Sequence, residues 1–231
     1  MTRLTDRELH ALIALAEMRG MQLDVLAEFL GIGLKEAYRI ARRLRSAGKV
    51  HPLVEVLAGP KWVVPTRAAA TWALGWRPSD WRPSPMWAHH CRMVARTRVA
   101  LGACGRQDWD SERMLRHHNA PGPRFYPYDG CLLRDDRCVA VKVDTSRHLT
   151  THQLARRLRT AAHHARIDRC AELLYVCDGQ TPPDTVRTTA RHTLSDMPDL
   201  RFNALRFADL TRHPDLGQTG TLIDATTRFG R

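Results

Sequence analysis

The chain has 231 residues and a net charge of +12, from 36 basic against 24 acidic residues. That length holds two small domains or one large one, and the charge favours a polyanionic partner over an acidic or membrane-buried role. No apolar run reaches membrane-spanning length and the start, MTRLTDRELH, is polar, so the expectation is a cytoplasmic protein with no membrane partner. The six cysteines (91, 104, 131, 138, 170, 177) are scattered with no C-x-x-C pair. They read as reduced thiols rather than a disulfide framework or a zinc site.

Leu9 to Arg19 has a helical apolar face in Leu9, Leu12, Ile13 and Ala16. Leu23 to Leu30 predicts a second short helix ended by Gly31, and residues 34–47 a third ended by Gly48. Two short helices about a glycine turn form a helix-turn-helix arrangement. On the third helix, Leu34, Ala37, Ile40, Ala41 and Leu44 share one side. Lys35, Arg39 and Arg42 lie opposite and are expected at base edges of a major groove. Arg43 and Arg45, on the flanks, are expected to reach phosphates. KVHPLVEVLAG and PKWVVPT then read as two strands of a wing about Gly59-Pro60, with Lys61 near its tip as a further phosphate contact. TRAAATWALGW reads as a helix capped by Thr66. Residues 1–76 are therefore expected to be a winged helix-turn-helix DNA-binding domain.

Residues 77–85, RPSDWRPSP, hold three prolines and read as a linker. Over residues 86–210 the pattern is mixed. Met86 to Cys104 is a helix and Trp109 to Leu115 a short element. A hairpin turning at Arg134-Asp135-Asp136 comes next. A helix from Leu149, the strand AELLYVC, a helix opened by proline and the strand LRFNALRF complete it. This order predicts a sheet flanked by helices. Residues 211–231 are read as a loosely ordered tail.

In the hairpin, the second strand alternates Val139, Val141 and Val143 with Ala140, Lys142 and Asp144, so Lys142 and Asp144 share a face. Asp129 opens the partner strand. The pieces WDSER (109–113), PYDG (127–130), VAVKVDTS (139–146) and the arginine-rich helix after them resemble the PD-(D/E)XK, restriction-endonuclease-like fold. With the preceding winged helix, residues 5–195 resemble the replication-relaxation family of actinobacterial plasmids and integrating elements. The resemblance implies two domains, one α+β and one α/β: a winged helix-turn-helix, then a restriction-endonuclease-like mixed sheet flanked by helices. It also implies DNA binding in plasmid replication, relaxation or transfer.

In an active member of that fold, an aspartate opens one strand, and an acid and a lysine two apart lie on the next. The acids hold Mg²⁺. Here the order is swapped: Lys142 stands where an acid is usual and Asp144 follows. Glu112, Asp129, Lys142 and Asp144 are the candidate catalytic residues of a degenerate site, with no metal or other cofactor expected. Mg²⁺ would enter only if the chain were a metal-dependent DNA endonuclease, the first alternative. A dimeric transcriptional repressor is the second. The expected partner is double-stranded DNA, with a second copy of the chain and replication or transfer proteins as further candidates. His148 and His152 in HLTTH have metal-ligand spacing but lack the glutamate of a zinc-protease motif.

Overall fold

The computed structural model describes residues 3–56, 58–119, 126–134 and 137–212. The tail expected from residue 211 lies outside them apart from its first two residues, as do Asp135 and Asp136 of the expected hairpin turn. The chain divides into two compact units, Met1–Val99 with Cys104–Arg106, and Ala100–Ala103 with Gln107–Arg231. Both combine helices with sheet.

The first unit starts with α1 (Asp6–Glu17), nucleated by a capping box between Thr5 and Glu8. A two-residue strand, β1 (Met21–Gln22), leads into α2 (Leu23–Leu30) and then α3 (Leu34–Ser46). After α3 the chain runs alongside β2 (Trp62–Val63), which also pairs antiparallel with β1. Of the two strands expected here, the described residues show β2 and, facing it, the bridges Val50–Pro65 and Val54–Trp62. Pro52 lacks an N–H to extend the pairing. β1 was not anticipated, because two residues are too few to show alternation. Thr66 caps α4 (Arg67–Leu74) as expected, accepting from the Ala69 amide.

The first unit runs past its expected end. The proline-rich segment packs into it rather than linking away, with Trp81 against Trp62 at a ring separation of 5.9 Å and Asp80 paired to Arg67. The helix expected to open the second domain, α5 (Pro85–Ala100), is also largely part of this unit. Ala88 and Cys91 join the cluster of Trp62 and Val64. Arg92 donates to both oxygens of Asp24. Arg98, 1% exposed, is paired with the buried Glu17 at 2.8 Å and lies over the Phe29 ring. A buried guanidinium is tolerated only against a carboxylate, and docking α5 on α1 supplies one.

The second unit is a five-stranded sheet in the order β3-β4-β5-β6-β7. The strands are β3 (Trp109–Ser111), β4 (Gly130–Arg134), β5 (Arg137–Asp144), β6 (Glu172–Cys177) and β7 (Arg201–Arg206). The first three run antiparallel and the last three parallel. Helix α6 (Glu112–His118) leaves β3 with Ser111 as its cap. Helix α7 (Thr151–Ile167) crosses between β5 and β6, and α8 (Pro183–Thr193) between β6 and β7. A last helix, α9 (Phe207–Arg212), follows β7 and was not expected. β6 is buried at every position, the pattern of a parallel strand covered on both faces. Leu154, Leu158, Ala161, Ala162 and Ala165 of α7 are buried, as their spacing predicts.

Candidate functional site

The first candidate is the outer face of α3. Ala37, Ile40, Ala41 and Leu44 are buried, and Lys35, Arg39, Arg42, Arg43 and Arg45 are exposed. Leu34 departs from the expected apolar face. It is 42% exposed, since the core covers the helix only from Ala37 onward.

The cations divide into two groups. Arg39 is held by Glu36 one turn back, at 2.8 Å. That bond raises the guanidinium's pKa and, from the other side, lowers that of Glu36. Lys61 is paired with Glu55 at 2.8 Å. Arg43 reaches the carboxylate of Glu8 at 2.7 Å. Glu8 is almost wholly buried and also caps α1, so Arg43 has a partner within the fold. Lys35, Arg42 and Arg45 have no ion-pair partner among the described residues and stand exposed on the same helix. They form the available cationic surface of α3.

The second candidate is the set of acids and cations around β5. Pleating puts Lys142 and Asp144 on one face, next to Tyr175 and Cys177 of β6 in register. Asp129, 8% exposed, accepts from the Val143 amide at 2.8 Å and from Lys142 Nζ at 3.1 Å. Asp144, 3% exposed, accepts from the Ser146 amide at 3.1 Å through Oδ1. Arg157 of α7 lies 3.5 Å from that same oxygen and donates to Ser146 Oγ at 2.9 Å. The Asp144 carbonyl takes the amides of Asp178 and Gly179. At Gly179 a Cβ would sit 2.2 Å from the Ser146 carbonyl oxygen, so the two loops close over the strand end only because residue 179 has no side chain.

Asp144 Oδ2 and Tyr175 Oη are both buried without a hydrogen bond among the described residues. Burial, reinforced by the Asp144 charge, pushes the Tyr175 phenol far above its ordinary value and drives the Cys177 thiol up to about 12. Both groups are neutral at physiological pH.

A hard divalent cation needs several converging oxygens. The acids here do not supply them. Glu112 Oε1 is 3.4 Å from the Tyr126 amide and 3.8 Å from Arg116. Asp129 is taken up by Lys142 and a backbone amide, and Asp144 by Arg157 and another. Glu112, Asp129 and Asp144 do not converge within 4.8 Å among the described residues. The residues present do not fit Mg²⁺.

The convergent group is instead Cys131, Cys138 and Cys170. Cys131 and Cys138 are bonded as a disulfide, against the expectation of scattered reduced thiols. The signal was in the sequence: cysteines seven apart, one on each strand of an expected hairpin, fall on one face of the paired strands.

Comparison with protein-family models, with curated proteins and with solved structures found no match for this chain.

Proposed function

We propose that the protein binds double-stranded DNA through α3 and acts in replication, transfer or regulation of a plasmid or other mobile element. The observation that carries this reading is the row of exposed cations Lys35, Arg42 and Arg45, without ion-pair partners among the described residues, on a helix whose opposite face is buried. The order α1-β1-α2-α3-β2, with two glycine-ended helices before a small antiparallel sheet, supports a winged helix-turn-helix. In the second unit, three antiparallel strands, a crossover helix and a parallel fourth strand support the restriction-endonuclease-like resemblance. With Asp129 paired to Lys142 and Asp144 to Arg157, this unit is read as a scaffold for DNA contact or assembly rather than a metal-dependent catalyst.

The test is anisotropy titration of a labelled duplex at several salt concentrations. Removing one phosphate-binding cation lowers the slope of log K against log salt by about one unit. A Lys35→Ala/Arg42→Ala/Arg45→Ala variant is expected to bind far more weakly, with a slope smaller by about one unit for the phosphate contact of Arg45 and with its preference among duplex sequences lost for the base contacts of Lys35 and Arg42. Unchanged binding rejects α3 as the DNA-binding surface. The endonuclease reading draws on the unpartnered Asp144 Oδ2 alone. It is tested with supercoiled plasmid and Mg²⁺ or Mn²⁺, where the expected result is no nicking.

A further inference from the structure

Three sulfurs meet on one face of the second unit's sheet. Cys131 pairs with Ala140 and Cys138 with Leu133, so the two cysteines lie diagonally across β4 and β5 with their side chains on the same side. Cys170 arrives from the end of α7. Its amide bonds the Ala165 carbonyl after Arg169 turns left-handed at φ 58°, and the next amide, of Ala171, bonds the Cys138 carbonyl. These two bonds set Cys170 Sγ 2.8 Å from Cys138 Sγ and 4.0 Å from Cys131 Sγ. No histidine or carboxylate joins the group among the described residues. Cys131 and Cys170 belong to a buried cluster with Tyr128, Ala140, Ala161, Ala165 and Leu173, against which the partly buried Cys138 packs.

We propose that, once the Cys131–Cys138 bond is reduced, Cys131, Cys138 and Cys170 form a binding site for one trivalent, three-coordinate thiophile of the arsenous acid class. Three features select that class. Sulfur donors favour soft ions over Mg²⁺ or Ca²⁺. Three sulfur donors, with no histidine or carboxylate in the group among the described residues, leave the fourth protein ligand of a tetrahedral zinc site unsupplied. Charge then chooses among soft ions. Three thiolates around Cu⁺ leave two negative charges buried, and around Zn²⁺ one; around a trivalent centre they leave none.

Beside the cluster, Asp168 accepts from the phenols of Tyr126 and Tyr128. The exchange is written from arsenous acid and three thiols. Three S–H bonds and three As–OH bonds break, three As–S bonds form, and three waters leave, with no change of oxidation state.

The disulfide closes the site, because it leaves one thiol of the three. A dithiol reductant opens it by exchange. One thiolate attacks a sulfur of the pair, the second displaces the mixed disulfide, and the reductant departs as its own disulfide while both cysteines become thiols.

The experiment uses the full chain carrying Cys91→Ser, Cys104→Ser and Cys177→Ser, fully reduced and then freed of reductant. It is titrated with sodium arsenite and read by native mass spectrometry and thermal melting. The expected product is one adduct per chain, heavier by one arsenic less three hydrogens, with a melting point that rises with arsenite. Adding Cys138→Ser should weaken binding at least about tenfold, as removal of one of three bonds implies. Protein oxidised at Cys131–Cys138 should take up no three-bond adduct. An adduct lacking fewer than three hydrogens, absence of any adduct on the reduced protein, or Zn²⁺ or Cu⁺ displacing arsenite at equal concentration would each overturn the proposal.

Discussion

Arg42 and Arg43 are adjacent in sequence and do different work. Arg42 projects from α3 with no ion-pair partner among the described residues, whereas Arg43 neutralises the buried Glu8. Removing Arg43 leaves a buried carboxylate with the Thr5 amide as its hydrogen-bond donor and the more distant charge of Arg39. Arg43→Ala should therefore cost roughly 1–2 kcal/mol of stability, held below the value for a fully buried pair because the arginine is half-exposed. In a Glu8→Gln background the same change should cost much less, read from urea midpoints. Equal costs in the two backgrounds would remove Glu8 from the explanation. Glu172 shows the opposite situation. Burial raises its pKa above the ordinary 4.5, and the Arg201 charge offsets this only in part. The folded state thus holds its proton more tightly than the unfolded chain, so stability falls as pH rises from 4.5 through the folded value and then stays lower. Glu172→Gln is expected to melt higher than wild type at pH 7 and to lose that advantage below pH 4.5, in a series of thermal scans.

Among the elements, α5 and the β3–β4 pair each include one contact that a single substitution tests. Arg98 is the only fully buried arginine among the described residues, and it joins α5 to Glu17 of α1. Arg98→Ala should destabilise the first unit by about 3–5 kcal/mol, since it strands a buried acid. Arg98→Met with Glu17→Met should recover most of that stability in chemical denaturation, because the shape is kept and no charge remains. In the sheet, Gly130 of PYDG lies under the indole of Trp109 from WDSER. A Cβ at residue 130 would come within 2.0 Å of Trp109 Cζ2. Two motifs that looked like chemistry are thus partly one packing contact. Gly130→Ala should cost about 1–3 kcal/mol or more by overpacking, measured by urea midpoint, and Trp109→Leu should relieve part of it.

Across the whole molecule, periodic segments were the legible part. α2, α3, α7, β6 and β7 lie within a residue or two of where their apolar spacing puts them. The domain boundary was not legible, because three prolines signal a bend but do not say whether the bend is buried. Trp81 and Arg98 decide that through contacts 19 and 81 residues away in sequence, which no local pattern shows. The candidate site divides similarly. The common face of Lys142 and Asp144 follows from the pleat alone. That Arg157 serves Asp144 while Lys142 serves Asp129 depends on where α7 lands. The cysteine cluster needed the loop after α7, whose course is set by two backbone bonds.

The sheet of the second unit ends on β7, a six-residue parallel strand with no neighbour on its far side among the described residues. An open strand edge is a template for another chain and hence a route to aggregates. Here the strand starts with Arg201 and finishes with Arg206, both exposed, and Arg187 of α8 takes the Ala204 carbonyl. Two copies meeting edge to edge about a twofold axis would set Arg201 against Arg206 at both ends, like charge facing like charge. The charges at the two ends of this edge therefore oppose its pairing with a second copy. Arg201→Thr with Arg206→Thr should turn a well-behaved protein into one that grows with concentration in light scattering, and added salt should produce a milder form of the same growth in the wild type.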